Sequence, residues 1–554
     1  MLAKIEFDHH QRQSHDINSI LPFNAFNISN NNPDRSLVSL NADFLHSLLI
    51  MDVLLRMKDM SNNTNEELID LCKNICKNTS IELQHIDDFT HTYTPSLSLW
   101  WYTSNTFLFK ILNKAFRVDN TRLLYLFHSV ISDLHVQVKQ CQCISRIDVY
   151  RGQLMTTAEL SHLRCLIGGY ISIKSFFSTT LNRGLATFYL GPSAAYSSMD
   201  LKRVLFEIQA DPQTEGIKPF GKIATYSAFP NEEEVLFTPQ SIFQIIATHF
   251  DRESNIDIIR MVLCSEKHNH LKDVYEQNRK DYGGGRLKET NPMTLGNVLQ
   301  RMGKYQDAEM FYRRQLSELS VDQQNNQLLS ICFFNLGEVL REKGQYDESI
   351  MWYRKSLEID MEIFPDGHAN IGNTYNSIGI LQEKKGDYES ALDSYSIAVK
   401  VALQSFGWNN TRVALSLNNL GNAYQAVDDF IIALDCHRIA LMIRQKNLPP
   451  VHHRLAASHN NIAVVYHRIG HFDLAYEYYK IALDMNEKTL PPDHVDIGIV
   501  LRNLALLNET KGNLTEALVD FEREANRRQR MSQCHHAESF DIHVDIERVQ
   551  SKLH

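Results

Sequence analysis

Small, ring-bearing and turn-forming residues recur with a nearly constant spacing between residues 290 and 531. The turn positions are Gly303, Gly344, Gly386, Asp428, Gly470 and Gly512, spaced by 41 residues once and by 42 residues four times. A small residue follows each turn after five positions, and the rings four positions further on are Tyr312, Tyr353, Tyr395, His437, Tyr479 and Phe521. In the helix before each turn, small residues keep the same period: Gly296, Gly337, Gly379, Gly421, Ala463 and Ala505. Small residues let paired helices approach closely, and a ring fills the space between them. The pattern predicts six stacked helix pairs.

Between residues 90 and 265 the apolar pattern changes from helical to strand-like spacing. Apolar stripes predict two helices, over residues 106–117 and 120–138. Runs rich in β-branched and aromatic residues follow, and Gly, Pro and Asn separate them, which is typical of strands. The predicted strands cover residues 147–150, 170–177, 204–208, 234–238, 242–249 and 256–264. Helices first and strands afterwards predict an α+β domain.

Residues 1–89 are predicted to form a small helical segment without chemistry of its own. Residues 27–34 are rich in Asn, Ser and Pro, which predicts a loop. A helix is expected over residues 41–57, where leucines fall near one face, and a second helix is expected from about Asn65.

Two further segments flank the repeats. Residues 266–281 predict a polar helix, and the glycines at 283–285 predict a flexible hinge, since they lack the Lys-Ser/Thr of a phosphate-binding loop. The tail is expected to cap the last repeat, because an exposed repeat end would leave apolar surface in water. The resulting division of the chain is 1–89, 90–265, 266–289, 290–531 and 532–554.

Composition narrows the class of protein. A chain of 554 residues is too long for one core and predicts about three or four domains. The net charge of −10 argues against a general nucleic-acid or anionic-membrane binder. Nine cysteines without framework spacing predict free thiols of a reducing compartment, and hence a cytoplasmic protein. Neither a signal peptide nor a membrane span is expected, and no metal site is predicted.

Three short motifs carry the candidate chemistry. Arg151 follows Tyr150 at the end of one strand-like run, and Ser178 follows Phe177 at the end of another. Glu234 closes an acidic triplet directly before an apolar strand-like run. Taken singly, each motif has a structural alternative. Arg151 could pair with Asp148, the hydroxyl residues could be strand formers, and the acidic triplet could be a solvated turn.

Together and in this order, the three motifs resemble the Arg–Ser–Glu signature of the mono-ADP-ribosyltransferases. The resemblance covers about 170 residues and includes residues 101–103 and 112–113 ahead of the motifs. It implies an α+β ADP-ribosyltransferase fold and NAD as the substrate. One position departs from the family pattern, because the third hydroxyl of the Ser-Thr-Ser motif is Thr180, which keeps the hydroxyl.

The resemblance implies a role for each residue in NAD binding and cleavage. Glu234 would stabilise the oxocarbenium-like ribose that forms when nicotinamide leaves. Arg151 would hold the pyrophosphate, for which the forked guanidinium is well suited. Gly152 would let the backbone approach the nicotinamide amide. Ser178 would bond the ribose or orient Glu234, with Thr179 in support.

The resemblance also implies the acceptor. Glu232, two residues before Glu234, is typical of the arginine-modifying members, since a carboxylate can orient a guanidinium and help remove its proton. Phe229 stands where the family carries an aromatic residue for acceptor recognition. Phe188 is a candidate for packing on nicotinamide, although a core position is the favoured interpretation.

The repeats resemble tetratricopeptide repeats, and their period of about 42 residues is similar to that of kinesin light chains. The resemblance implies that asparagines one repeat apart line a concave surface and bind an extended peptide backbone. These residues are Asn335, Asn419, Asn461 and Asn503, with Ser377 at the equivalent place in the third repeat. Helix–helix packing is the alternative for them.

The sequence therefore predicts a multidomain protein, an α+β ADP-ribosyltransferase fold followed by an all-α tetratricopeptide superhelix. The leading hypothesis is an NAD-dependent enzyme that transfers ADP-ribose to a protein arginine, with the repeats recruiting protein partners. Two alternatives stay open: a catalytically inactive peptide-binding scaffold, and an NAD glycohydrolase in which water is the acceptor. Neither nucleic acid, nor a membrane, nor a metal is expected as a partner.

Overall fold

The computed structural model describes residues 23–26, 35–57, 62–192, 201–265, 289–319, 326–532 and 540–553. The chain divides into two compact units, residues 1–315 and 316–554. The predicted loop at 27–34, the predicted helix and hinge at 266–288 and the Cys-His-His run at 534–536 lie outside the described residues.

The first unit opens with helices that pack beside a sheet. They are α1 (Arg35–Leu55), α2 (Asn62–Ile75), α3 (Ser80–Thr92), α4 (Ser98–Thr103), α5 (Phe107–Arg117), α6 (Thr121–Leu126) and α7 (His128–Gln140). Helix α1 begins six residues before the predicted start at Asn41. The predicted helix over 120–138 is two helices, because Phe127 ends α6 in a non-helical conformation before α7 starts.

Nine strands of the described residues form one sheet. Two short helices lie between strands along the chain. The strands are β1 (Phe23–Phe26), β2 (Ile147–Thr156), β3 (Tyr170–Ile173), β4 (Phe177–Thr180), β5 (Leu201–Ala210), β6 (Phe220–Lys222), β7 (Glu234–Phe237), β8 (Ser241–Asp251) and β9 (Ile256–Cys264). The helices are α8 (Thr157–Cys165) and α9 (Arg183–Phe188). The strand order is β1-β3-β8-β9-β5-β2-β4-β7-β6. Among the strands of the described residues, only β5 and β9 pair in parallel, so the sheet is mixed.

The sheet differs from the predicted strands at several places. Strand β6 is not among the predicted strands, and β2 extends to Thr156, so Arg151 and Gly152 lie within a strand and not after it. The predicted strand over 170–177 is two strands, β3 and β4, which lie far apart in the sheet. In addition, β1 of the N-terminal segment pairs antiparallel with β3, so this segment is not purely helical as predicted. Backbone pairing with a distant strand is a tertiary event that the local pattern of four residues cannot show.

A cluster of phenylalanines holds the strands around the candidate motifs. Phe177 of β4 packs against Phe206, Phe237 and Phe243 with ring centroids 5.9–6.5 Å apart. All four side chains are almost fully buried. Aromatic burial of this extent dominates the energetics of a core, so it fixes β4 and β7 relative to the rest of the sheet.

The first helix pair is α10 (Pro292–Arg301) and α11 (Tyr305–Leu319), and the first unit ends within α11 at residue 315. The second unit contains the remaining helices. They are α12 (Asn326–Glu342), α13 (Tyr346–Ile363), α14 (Ala369–Lys384), α15 (Tyr388–Phe406), α16 (Thr411–Ala426), α17 (Phe430–Asn447), α18 (His453–Arg468), α19 (Phe472–Thr489), α20 (Val495–Lys511), α21 (Leu514–Ser532) and α22 (Phe540–Leu553). The six predicted helix pairs are therefore present in the described part of the chain.

Each helix pair is held by the small residue and the ring that the repeat pattern singles out. A Cβ built on Gly337 would lie 2.6 Å from the ring of Tyr353, and one on Gly379 would lie 2.7 Å from the ring of Tyr395. Such distances are below van der Waals contact, so only glycine allows the ring to pack against this helix. The predicted reason for the small residues is confirmed.

The fourth ring position is an exception, because it is a histidine. Tyr395 donates its hydroxyl hydrogen to Glu383 Oε2 at 2.8 Å, and Tyr353 likewise bonds Glu338. His437 is fully buried, and neither of its ring nitrogens has a hydrogen-bond partner among the described residues. Burial, with a smaller contribution from the charge of Arg444, lowers the pKa of His437 to about 4. His437 is therefore neutral in the folded protein at neutral pH.

Helix α22 covers the end of the last pair. Its Ile542 and Val549 are buried against Ala517 and Phe521 of α21. No helix among the described residues combines the length and the apolar character that crossing a bilayer requires. The eight cysteines in the described ranges carry free thiols.

The buried histidine predicts an acid-sensitive point in the repeats. His437 takes up a proton in the unfolded chain below about pH 6.5 but resists it in the fold, so its contribution to stability is complete above pH 6.5 and is lost as the pH falls towards 4. Replacing it by tyrosine (His437→Tyr) is expected to remove this loss, which amounts to about 1.4 kcal/mol per unit of pKa shift. Thermal unfolding at pH 7.5, 6, 5 and 4.5 measures the difference.

The reverse exchange, Tyr479→His in the fifth repeat, is the matched control. Tyr479 is buried like His437, so the variant is expected to become more sensitive to acid than the parent protein. Equal acid sensitivity of His437→Tyr and the parent protein would contradict the attribution of this loss of stability to His437.

Candidate functional site

The three candidate motifs lie on neighbouring strands. Strand β4 lies between β2 and β7, with Thr180 opposite Tyr150 on one side and opposite Glu234 on the other. Ser178 pairs with Leu236, so Ser178 and Glu234 are diagonal neighbours on the same face of the β4–β7 pair. The sheet register therefore brings together residues that are separated by 56 positions in sequence.

The hydroxyl and the carboxylate are in direct contact. Ser178 Oγ donates to Glu234 Oε1 at 2.5 Å. Ser227 Oγ donates to the other carboxylate oxygen, Oε2, at 3.3 Å. The side chain of Glu234 is 8% exposed, so the carboxylate is held between two hydroxyl donors in a largely dry place. The solvated-turn alternative is therefore wrong for Glu234.

The guanidinium of Arg151 lies beside the same strand. Its Nη1 donates to the carbonyl oxygen of Ser178 at 2.8 Å, and its Nε donates to Gln153 Oε1 at 3.3 Å. It also lies over the ring of Phe177, with 5.1 Å between Cζ and the ring centroid. No ion pair joins it to Asp148 in the described structure, where Asp148 instead accepts a hydrogen bond from Gln209. The structural alternative for Arg151 is wrong.

The charges of Glu234 and Arg151 both affect the pKa of Tyr102 in α4. Burial raises the pKa of its hydroxyl, the charge of Glu234 raises it further, and the charge of Arg151 lowers it. Its hydroxyl donates to Asn113 Oδ1 at 3.1 Å. Both residues belong to the short runs that the sequence resemblance includes ahead of the motifs. The N-terminal helices thus reach the same place as β2, β4 and β7.

The segment before β7 is tied down at its backbone. Thr180 Oγ1 donates to the carbonyl oxygen of Glu232 at 2.7 Å, and the Leu181 amide donates to the carbonyl of Glu233 at 3.3 Å. Glu233 has a φ of 48°, in the left-handed region, and its side chain is exposed. This single left-handed residue separates the half-buried Glu232 from the buried Glu234. The two carboxylates therefore meet different surroundings although they are two positions apart.

Two residues predicted to bind the cofactor are used by the fold itself. Gly152 packs closely against α9. A Cβ added at this position would lie 2.1 Å from the carbonyl oxygen of Ala186. Thr179 is 4% exposed and donates to the carbonyl of Val235 at 2.8 Å, on the opposite face from Ser178. The structure thus does not bring Thr179 to the Ser178–Glu234 contact. It gives Gly152 a packing role in addition to the predicted one.

Phe188 also differs from the favoured interpretation. It lies at the end of α9 and its side chain is 42% exposed, so it is not a core residue. Phe229, the predicted acceptor-recognition residue, is half-buried, and its amide donates to Ser227 Oγ at 3.1 Å.

Sequence reasoning missed Ser227 altogether. A serine two residues before Phe229 has no distinctive spacing, and only the fold of the segment turns its hydroxyl towards Glu234. Thr103 belongs to one of the resembling runs, but the sequence does not predict its contact with Ala228. Its Oγ1 accepts a hydrogen bond from the amide of Ala228 at 2.9 Å.

Three of the predicted asparagines donate amide hydrogens to a second set of asparagines, each in the preceding helix pair. Asn419 Nδ2 donates to Asn376 Oδ1 at 2.9 Å, Asn461 Nδ2 to Asn418 Oδ1 at 2.9 Å, and Asn503 Nδ2 to Asn460 Oδ1 at 3.0 Å. Each bond joins the first helices of adjacent pairs. These contacts favour the packing alternative for part of the hydrogen-bonding capacity of each amide. Asn335 is half-buried on α12.

Sequence profiles of known families identify the repeats. Profiles described as tetratricopeptide repeat match residues 294–327, 327–404, 412–488 and 454–530. The C-terminal region is therefore an all-α tetratricopeptide-repeat superhelix, an architecture suited to protein–protein interaction. It accompanies an N-terminal region built around a mixed sheet.

Parts of the chain are similar to solved structures. BtubC (BKLC) from P. vanneervenii is 20% identical, with 43% of this chain and 94% of that chain covered and a TM-score of 0.36. A putative kinesin light chain with nearly identical TPR-like repeats from Podosopora anserina is 18% identical, with 36% and 94% covered and a TM-score of 0.32. The apo form of RapI is 15% identical, with 47% and 97% covered and a TM-score of 0.35. No curated protein matches the sequence.

The packing of Gly152 gives a stability prediction. Gly152→Ala is expected to destabilise the first unit by about 1–3 kcal/mol, because its Cβ would overlap a backbone oxygen that cannot move freely. Gly184→Ala in α9 is the control, since its Cβ would meet only the Asn182 side chain at 3.2 Å. Thermal and urea unfolding compare the two variants, and equal midpoints would contradict the packing role.

The asparagine contacts between helix pairs give a second prediction. Asn461→Ala removes the bonds to Asn418 and Asn422 and is expected to cost about 1 kcal/mol, or about 2–4 °C in melting temperature. Asn373→Ala, at an exposed position of α14, is the control. If both variants melt together, the Asn461 amide is not used for packing and stays available to a partner.

Proposed function

We propose that the N-terminal unit is an NAD-dependent mono-ADP-ribosyltransferase that modifies protein arginine, and that the tetratricopeptide repeats recruit the protein target. The single observation that carries this proposal is the contact of Ser178 Oγ with the buried Glu234 carboxylate, with the Arg151 guanidinium on the carbonyl of Ser178. A cation, a hydroxyl and a carboxylate from three different strands meet within one small region.

The chemistry needs a buried carboxylate. In the proposed reaction, the bond between C1 of the ribose and the nicotinamide nitrogen breaks, and nicotinamide leaves with the electron pair. The ribose then carries oxocarbenium-like positive charge, which a fixed carboxylate stabilises more strongly in a dry site than in water. Glu234 supplies that carboxylate, and Ser178 and Ser227 hold both of its oxygens in place before the reaction.

The remaining steps use the other two predicted residues. Arg151 binds the pyrophosphate of NAD through its guanidinium, which forms paired bonds with phosphate oxygens. Glu232 orients the acceptor guanidinium and takes its proton as the new C–N bond forms at the ribose C1. The half-buried position of Glu232, fixed at its backbone by Thr180, supports this separate role.

A catalytically silent peptide-binding scaffold is the second candidate. The observation that favours it is the location of the family matches, all of which lie between residues 294 and 530, within the repeats. In that case the contact between Ser178 and Glu234 would be a structural remnant, and the repeats alone would carry the function. NAD hydrolysis without transfer is a possible outcome of the experiment below.

Incubating the full-length protein with labelled NAD and polyarginine separates these functions. The parent protein is expected to release nicotinamide and label polyarginine, whereas Glu234→Gln is expected to lose at least about a hundredfold of both activities, the scale seen when one transition-state-stabilising group is removed. Glu232→Gln is expected to keep nicotinamide release and to lose most of the transfer.

Glu233→Gln is the matched control, because Glu233 is exposed and lies between the two tested carboxylates. It is expected to retain both activities. A parent protein that neither releases nicotinamide nor labels polyarginine would leave the scaffold function. Release without labelling would indicate an NAD glycohydrolase.

A further inference from the structure

Ser227 joins the carboxylate of Glu234 to the segment that carries the predicted acceptor residues. Its side chain is 6% exposed. Its Oγ donates to Glu234 Oε2 at 3.3 Å and accepts a hydrogen bond from the Phe229 amide at 3.1 Å. One buried hydroxyl therefore uses its donor on the candidate catalytic carboxylate and an acceptor lone pair on the candidate acceptor segment.

The same segment is fixed from the other side by the helical part of the unit. Thr103 Oγ1 accepts from the amide of Ala228 at 2.9 Å and donates to the carbonyl of Leu99 within α4 at 2.8 Å. The adjacent backbone amides of Ala228 and Phe229 therefore both donate hydrogen bonds to side-chain hydroxyls. One hydroxyl belongs to the segment itself and the other to a helix more than 120 residues earlier.

A local role in turn formation is the structural alternative for Ser227. A serine hydroxyl that accepts the amide two residues later is a common local motif and needs no function. That motif, however, uses only the acceptor capacity of the hydroxyl. It does not account for the donation to Glu234, or for the burial of both groups, which makes the loss of a donor to a carboxylate costly.

We propose that Ser227 is a positioning residue for ADP-ribosyl transfer: it holds the second oxygen of the Glu234 carboxylate and couples its position to the segment of Phe229 and Glu232. Ser178 and Ser227 thus hold one carboxylate oxygen each. This inference rests on the proposed function for its kinetic consequences, whereas the coupling between Ser227 and Glu234 is measurable without any activity.

The kinetic experiment compares Ser227→Ala with the parent protein in nicotinamide release and polyarginine labelling. Ser227→Ala is expected to lower kcat by about tenfold or more while the KM for NAD changes little, because the hydroxyl bonds the carboxylate that stabilises the transition state. The acidic limb of the pH profile of kcat is expected to move to higher pH, since the ionised carboxylate loses a donor. A purely structural serine would not move that limb.

Two further variants separate the contacts. Thr225→Ala, at an exposed position of the same segment, is the control and is expected to match the parent. Thr103→Val keeps the size of the side chain but loses the acceptor for the Ala228 amide. It is expected to lower polyarginine labelling relative to nicotinamide release, with the pH profile of release unchanged.

A double-mutant cycle tests the coupling independently of catalysis. Thermal unfolding of Ser227→Ala, Glu234→Ala and the double variant is expected to be non-additive, because each single change removes the same hydrogen bond. Ser227→Cys, which keeps the size but has a weak donor, replaces Ser227→Ala if the latter does not fold.

Additive unfolding midpoints, or a Ser227→Ala enzyme with the kcat and pH profile of the parent, would overturn the positioning role. An inactive parent protein with non-additive midpoints would overturn the proposed function and leave the structural coupling of Ser227 to Glu234 intact. The two failures are therefore distinguishable.

Discussion

The antiparallel pairing of β4 with β7 places Ser178 beside Glu234, and the candidate chemistry of the N-terminal unit depends on this register. Side chains alternate between the two faces of a strand, so a slip of one residue would turn Glu234 into the aromatic core and expose Val235. The phenylalanine cluster around Phe177 and Phe237 resists such a slip, because these rings occupy the opposite face of the same two strands. A hydrophobic constraint thus fixes the position of a polar contact.

The segment between β6 and β7 adds a second level of control. Its backbone is held by hydroxyls from three parts of the unit: Thr103 of α4, Thr180 of β4 and Ser227 of the segment itself. Hydrogen bonds of this kind hold the backbone of the segment in place. A carboxylate that must stabilise charge gains from such fixed surroundings, since no reorganisation is needed during the reaction.

The repeats follow a different physical rule. Each helix packs on its partner within the pair and on the neighbouring pair, so stability accumulates from repeat to repeat. Glycines such as Gly337 and Gly379 exist because a ring occupies the place of their side chain. His437 shows that a ring of similar size fills the space without the hydrogen bond that tyrosine makes, and that this exchange introduces a group whose protonation opposes folding.

Much of this architecture follows from the sequence alone. The period of 41 or 42 residues, with a small residue and a ring in fixed places, indicates helix pairs, since a small residue on one helix makes room for a ring on the next. The order of Arg151, Ser178 and Glu234 likewise indicates that they form one candidate site, because each stands next to a recognisable strand-like run. These patterns are local, so they can be recognised in the sequence without knowledge of the tertiary contacts.

Only the tertiary structure decided the contacts that join distant segments. Strand β1 pairs with β3, Thr103 meets Ala228, and Ser227 turns towards Glu234, and none of these pairings leaves a periodic trace. The structure also decided that Thr179 faces away from Ser178 and that the bare side of Gly152 meets Ala186. The sequence determined which residue types are present and on which elements they lie. The packing of those elements determined which oxygen meets which hydrogen, because hydrogen bonds depend on distances of a few tenths of an ångström that no spacing along the chain encodes.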